Sequence, residues 1–282
     1  MTIGFIGQGY IGKNYADDFE RRGFTVVRYA LEEPYRNNKE KIKDCDIVFI
    51  AVPTPTTPEG FDSSIIEKAL QLVGSGKIAV IKSTVLPGTT SSLQQTYPGI
   101  TVLVSPEFLS EATAAQDAAH PSQNIIGMSV KDTQHEQAAD TVHKVLPRAP
   151  HTLTTTSEEA ELFKYAHNLN GYFQVMLSNV LYDAADALGA SWRKIQEAIE
   201  GDPLISNRYA KPMHKTGRGA GGHCFIKDFA AFEKFYASLV PADTAGIAML
   251  KSLEQKNIEL LTNSNKDLDL LEGVYGKKIF NK

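Results

Sequence analysis

Ile3-Gly4-Phe5-Ile6-Gly7-Gln8-Gly9-Tyr10-Ile11-Gly12 decides the fold. Ile3 to Ile6 reads as a short apolar strand, the glycines follow at once, and a helical stretch runs from about Lys13 to Arg22, where Gly23 stops it. Strand, glycine turn and helix in that order are the context a dinucleotide fingerprint needs. Gly7 makes the turn, Gly9 lets a pyrophosphate approach the backbone, and Gly12 packs helix on sheet, with Tyr10 and Ile11 between them among the cofactor-binding residues. The pyrophosphate then meets free N–H groups and the positive end of the helix dipole.

Working outward, Phe24 to Tyr29 is a second strand rich in β-branched and aromatic residues, and Ile47 to Val52 is a continuous apolar run of the kind buried on both faces of a parallel sheet. Pro53-Thr54-Pro55-Thr56-Thr57-Pro58 ends that run. Ile65 to Val73 has helical spacing, and Ile78–Ile81, Val102–Val104 and Ile125–Met128 continue a series of strands separated by helix-length segments. The alternation predicts an α/β domain, a Rossmann-like doubly wound parallel sheet over residues 1–151. An all-α domain over 152–261 follows. It opens at Ser157-Glu158-Glu159 with a helix running to about Leu188, broken only by Gly171, and continues with helices at Trp192–Ile199, Lys227–Leu239 and Ala245–Leu261. Residues 262–282 are expected to be a polar tail without periodicity. A helix of ~30 residues suits a dimer seam, so a homodimer through 157–188 is predicted.

The chain has 282 residues, 42% of them hydrophobic and 22% charged, with a net charge of −4. That is the balance of an ordinary globular protein and gives no reason to expect nucleic acid or an anionic membrane as partner. No apolar run approaches the ~20 residues of a membrane span, and with a strand read from residue 3 no signal peptide is expected. A cytoplasmic protein with reduced thiols is the expectation. Seven histidines and two cysteines show no metal-ligand spacing, so no metal is expected.

The dinucleotide's identity rests on the end of the second strand, where a ribose-binding acid belongs. Ala30 stands there, with Glu32 and Glu33 just beyond and Arg28 and Arg36 on either side to meet a 2′-phosphate. NAD is favoured over NADP. Near the other end, Gly221-Gly222-His223-Cys224-Phe225-Ile226-Lys227-Asp228 places a thiol behind flexible backbone and ahead of a cation and a base, surroundings that favour a thiolate nucleophile. Cys45, between Asp44 and Asp46, has neighbours that raise a thiol pKa and reads as structural. A hydride acceptor and a thiol in one chain point to an oxidation that passes through a covalent intermediate.

Taken in order, the motifs resemble those of the UDP-glucose/GDP-mannose dehydrogenase family. The matching stretches are the glycine turn with Tyr10, Val52-Pro53-Thr54-Pro55, Ser83 to Thr90, Pro106-Glu107-Phe108-Leu109-Ser110-Glu111, Lys164 to Asn168, and Gly221 to Asp228, which together extend over about the first 230 residues. The resemblance implies NAD-dependent oxidation of a nucleotide sugar, most simply UDP-glucose, from the C6 alcohol to the uronate. Cys224 would trap the aldehyde and become acylated. Lys164 and Asn168, four apart on one helix, would face the oxyanion. Asp228 would serve proton transfer, Glu111 and Thr84 the hydrolytic water, Glu107 would lie near the sugar or the nicotinamide, and Phe108, Leu109 and Gly221 would join Lys164 and Asn168 on the substrate side. Pro53, Thr54, Thr84, Glu111 and Lys227 would join the glycine turn around NAD. The position of His223 varies in the family, which speaks against its being a base.

Three features depart from that pattern. Ile226 replaces a proline common before the lysine, and Gly201 to Ile205 lacks an arginine often found there, for which Arg208 or Arg218 would have to compensate. The family also has a C-terminal nucleotide-binding domain of ~100 or more residues, which this chain is expected to lack. Two further readings stay open: a two-electron β-hydroxyacid-type dehydrogenase, which needs no thiol, and a non-catalytic dinucleotide-binding assembly subunit.

Overall fold

The computed structural model describes residues 1–280 and divides into two units. The first comprises Met1–Thr54 and Asp62–Lys164. Its strands are β1 (Thr2–Ile6), β2 (Thr25–Tyr29) and β3 (Ile47–Ile50), followed beyond a short hairpin by β6 (Ile78–Ile81), β7 (Thr101–Val104), β8 (Gln123–Met128) and β9 (His151–Thr156). They form one sheet in the order β2-β1-β3-β6-β7-β8-β9. The first five strands run parallel, as predicted; β8 runs antiparallel to β7, and β9 parallel to β8.

Every residue of β3 and β7 is buried, which is why these strands read as unbroken apolar runs. Helices α1 (Tyr10–Arg21), α2 (Ser64–Leu70), α3 (Thr89–Thr96), α4 (Ala114–Ala119) and α5 (Thr133–Val145) connect them. The core is centred on Phe5, which stacks on Phe49 at 5.1 Å and meets Phe19 of α1 edge-on at 5.3 Å. Phe19 is wholly buried and contributes roughly 2–3 kcal/mol through its area alone. The chain leaves β1 for β2 on one side and returns to β3 on the other. The carboxyl end of β1 is therefore a topological switch point, where crevices for ligands open in such sheets.

The domain limit expected at 151 falls on the first residue of β9, a threonine-rich edge strand whose exposed residues gave no apolar signal. From Thr156 the chain passes directly into α6 (Ser157–Ala187), whose first turns complete the first unit. There the buried Glu161 carboxylate accepts from the backbone N–H groups of Gly88 and Thr90, capping α3. Burial pushes that carboxyl up to about 7.

The second unit comprises Pro55–Phe61 and Tyr165–Lys282. Its small elements are the hairpin β4 (Thr56–Thr57) and β5 (Gly60–Phe61) and the hairpin β10 (Met213–His214) and β11 (Gly217–Arg218). The rest is helical: the remainder of α6, then α7 (Trp192–Gly201), α8 (Gly222–Leu239), α9 (Thr244–Asn263) and α10 (Leu268–Tyr275). Tyr172 of α6 stacks on Phe229 of α8 at 3.9 Å. Gly171 has a packing reason: a Cβ there would come within 2.8 Å of the Phe225 ring and 2.9 Å of Tyr209.

The expected polar tail over 262–282 is corrected by α10. Leu271 is fully buried and Val274 nearly so, packed with Ile226, Ala230 and Leu261. Eight residues are too few for a local periodicity to stand out, so only the tertiary contact reveals the helix.

Candidate active site

The glycine turn has the geometry its spacing requires. Gly7 adopts φ +90°, and a Cβ there would lie 2.2 Å from the Ala51 carbonyl oxygen. On Gly12 a Cβ would lie 1.9 Å from the Gly7 carbonyl oxygen. Around Gly9 the space is open to 4 Å, and Gly9 is the N-cap of α1 with no side chain bonded to the cap. The first turn of α1 holds no acidic residue, so no carboxylate of that turn opposes its dipole. Two glycines forced by close packing and a third facing empty space are what a pyrophosphate cradle needs, and a dinucleotide fits. Beside this turn, Thr54 Oγ1 donates to the Thr84 carbonyl at 2.8 Å, and the Ser83 hydroxyl both accepts from Val52 N–H and donates to Val52 O. Pro53 is exposed between them, and Thr84 is half-buried.

The residues around the second strand's end bear on the 2′ position. Arg28 is buried and ion-paired with Asp17 and Glu20, both at 2.7 Å, and Arg36 Nε donates to Leu31 O at 2.6 Å. With Arg28 neutralised by two carboxylates, it offers no net positive charge to a 2′-phosphate.

A second cluster of the first unit surrounds Lys164. Its ammonium donates to both the carbonyl (2.7 Å) and the carboxylate (2.9 Å) of Glu107, and both side chains are 5% exposed. The other Glu107 carboxylate oxygen accepts from Leu109 N–H at 2.7 Å. Phe108 lies under the Lys164 ammonium at 5.4 Å, edge-on to Phe163. Glu111 lies on an exposed turn before α4.

Sequence reasoning missed Lys82. It is 3% exposed, its ammonium 3.3 Å from Ser105 Oγ and 4.4 Å over the Tyr15 ring. Burial pushes it down to about 7; the Glu107 charge resists this and the Lys164 charge assists. Its only local signal was a lysine closing the apolar run Ile78–Ile81, which reads as an exposed strand end.

In the second unit, Asn168 Nδ2 donates to Asp228 Oδ2 at 2.7 Å, and Lys227 Nζ donates to Asp228 Oδ1 at 2.5 Å. Asp228 is 1% exposed and Asn168 6%. Cys224 is exposed in the first turn of α8, four residues before Asp228 and therefore on the same face. Gly221 caps this helix and Gly222 takes φ +81°. A helix N-terminus favours a thiolate. His223 is exposed beside it. Arg218 is occupied elsewhere: its guanidinium donates to Asn179 and pairs with Asp183 at 2.6 Å. Cys45 is buried, and burial with Asp46 and Asp44 pushes its thiol up to about 11. Among the described residues no group of three potential ligands could hold a metal ion, and no helix is long and apolar enough to cross a membrane.

A Rossmann-like unit with a pyrophosphate cradle, followed in the chain by a largely helical unit with two small hairpins, defines a dinucleotide-dependent dehydrogenase architecture. The NAD binding domain of the UDP-glucose/GDP-mannose dehydrogenase family matches residues 34–146, and that family's central domain matches 158–257. The chain belongs to the UDP-glucose/GDP-mannose dehydrogenase family, and its cofactor is NAD. It is 28% identical over 281 residues to a UDP-glucose 6-dehydrogenase of Haloferax volcanii, covering 82% of this chain and 64% of that protein. With a putative UDP-glucose 6-dehydrogenase of Bacillus subtilis the identity is 30% over 207 residues, 69% of this chain and 47% of that one. Among solved structures, a UDP-glucose dehydrogenase from Pyrobaculum islandicum superposes with a TM-score of 0.76 at 27% identity, over 93% of this chain and 70% of that one. The chain thus spans less than two thirds of the length of either curated relative.

Proposed function

We propose that this chain oxidises the C6 alcohol of a nucleotide sugar, a UDP-hexose such as UDP-glucose, to the carboxylate through a thioester on Cys224. The observation that carries the reading is a pair of linked helix faces. Lys164 and Asn168 lie one turn apart on α6, Cys224 and Asp228 one turn apart on α8, and Asn168 donates to Asp228.

Gly7, Gly9, Tyr10, Ile11 and Gly12 with Pro53, Thr54, Thr84, Glu111 and Lys227 would hold NAD, and two NAD molecules bound in succession would each accept one hydride. The Asp228 carboxylate takes the alcohol proton through water. Once the aldehyde forms, Cys224 Sγ adds to C6, and the Lys164 ammonium and Asn168 amide stabilise the negative oxygen of the thiohemiacetal. Its oxidation leaves the thioester. Water oriented by Thr84 and Glu111 then attacks the acyl carbon, the C–S bond breaks, and the thiolate departs from the new carboxylate. Glu107, Phe108, Leu109 and Gly221 line the sugar side. An exposed reactive thiol suits a reducing compartment, and we place the reaction in the cytoplasm.

The test is the purified chain with UDP-glucose and NAD, following NADH absorbance and product. Two NADH and one uronate per sugar are expected, and Cys224→Ala should abolish the uronate. Undiminished turnover in Cys224→Ala would instead favour a two-electron dehydrogenase, and NAD binding without any NADH an assembly subunit.

A homodimer through α6 belongs to the same reading. Leu177, Val180, Leu181 and, just past the helix end, Leu188 are exposed at helical spacing, an apolar stripe suited to a second copy.

A further inference from the structure

The segment that carries Cys224 is held from the connection between α9 and α10. Asn257 of α9, 3% exposed, makes a reciprocal pair with Ala220: its Oδ1 accepts from the Ala220 N–H at 2.7 Å, and its Nδ2 donates to the Ala220 carbonyl at 3.0 Å. Lys266, 4% exposed, donates to the Gly219 carbonyl at 2.9 Å. Asp267 accepts from the Gly222 N–H, the first of α8, at 2.7 Å. Its carboxylate is seated so closely that a Cβ on Gly221 would lie 2.0 Å from it.

Asp267 reaches that place because of its own backbone and its helix. It adopts φ +53°, a left-handed conformation in which Asp and Asn are enriched among non-glycine residues, and it is the N-cap of α10. α10 is fixed in turn by Leu271 against Ile226 and Leu261. Hydrophobic packing of α10 on α8 therefore delivers a carboxylate to the N-terminus of the helix bearing the thiol.

We propose that Asp267 is a positioning residue for Cys224: it caps α8, fixes the glycine turn before the thiol, and sets a negative charge that opposes the thiolate-favouring dipole of the helix end. This rests on the reading of Cys224 as the nucleophile. The carboxylate and the α8 dipole act on the thiol with opposite sign, so the resting side chain is held further toward the neutral thiol than a bare helix end would hold it. The other charged or titratable groups near this turn are His223, Lys227 and Asp228 of α8, Lys266 beside Asp267, and Lys215 and His214 of the β10–β11 hairpin. Asp228 is already engaged by Asn168 and Lys227, which leaves Asp267 as the carboxylate of the helix end itself.

The test is the pH dependence of Cys224 alkylation by iodoacetamide in the intact chain, read on the Cys224 peptide by mass spectrometry. Asp267→Asn keeps an acceptor for the Gly222 N–H and tolerates the left-handed backbone, so it removes the charge alone. It should lower the apparent thiol pKa by on the order of one unit. Below the pKa, the thiolate fraction then rises about tenfold while each thiolate becomes about threefold less reactive, a net gain in alkylation rate of about threefold. Asp267→Gly fits the same backbone and removes both charge and cap, and serves if the first variant does not fold; it should shift the pKa in the same direction. An unchanged or raised Cys224 pKa in these variants overturns the proposal. Alkylation does not require turnover, whereas failure of the parent reading would appear as uronate formation surviving Cys224→Ala.

Discussion

Asn168 on α6 donates to the buried carboxylate of Asp228 on α8 at 2.7 Å, and Lys227 donates to its other oxygen. Removing the carboxylate strands a buried amide, so Asp228→Ala should cost about 1–3 kcal/mol of stability by chemical denaturation. Asp228→Asn keeps the shape and one acceptor but cannot take a proton. It should fold and melt close to the parent while NADH release from UDP-glucose falls by about 10²-fold or more. Full activity in Asp228→Asn would remove Asp228 from proton transfer.

The glycines of the first turn should separate folding from binding. In Gly12→Ala the new methyl meets the Gly7 carbonyl, so α1 must move off the sheet, at a cost of about 2 kcal/mol or more. Gly9→Ala points a methyl into open space, and stability should change by no more than about 1 kcal/mol. The same methyl occupies the pyrophosphate's approach, and NAD affinity measured by fluorescence titration should weaken by about tenfold or more. Equal loss of affinity and stability in both variants would contradict a cradle at Gly9.

These glycines were legible because context and spacing agreed within ten residues, and the parallel strands because burial on both faces leaves an unbroken apolar run. What escaped depends on distance in the chain. β9 is an exposed, threonine-rich edge, so its pairing with β8 left no apolar trace. The Lys266 and Asp267 contacts to Gly219 and Gly222 bridge more than forty residues and carry no local pattern at all. Lys82 ends a strand as an exposed lysine would, and only the Tyr15 ring and Ser105 around it reveal burial. The Lys164 and Asn168 pairing came through because four residues on a helix fix a common face, although their partners Glu107 and Asp228 did not follow from that spacing.

Lys82 sets a pH dependence whose sign can be worked out. Its folded pKa lies at about 7, below the ordinary value of 10.5, so between these values the unfolded chain binds more protons than the folded one. Stability should therefore rise with pH across that window, and the penalty of a buried charge is fully present below about 7. Lys82→Met retains the length of the side chain without the charge. It should flatten this slope and stabilise the chain at pH 6.5 by on the order of 2 kcal/mol or more, as measured by denaturation at pH 6.5 and 9. A parent and variant with the same slope would show that water reaches Lys82.

The exposed stripe on α6 makes the last prediction, about assembly. Leu177 is 60% exposed and Leu181 44%, one turn apart on a helix whose opposite face is fixed by Tyr172 and Met176. Neither leucine supports the unit's own core, so Leu177→Glu and Leu181→Glu should leave helicity and melting nearly unchanged. In a two-fold pair each substitution acts twice, and each buried leucine contributes roughly 1.5–3 kcal/mol. Either variant should then weaken self-association by at least about 100-fold, turning a dimer at micromolar concentration into a monomer in sedimentation velocity. If NADH release persists in that monomer, α6 pairing serves stability or assembly and each copy works alone; if it is lost while NAD still binds, pairing is needed to order the α6 face that carries Lys164 and Asn168. A parent chain that sediments as a monomer at the same concentration would remove the dimer altogether.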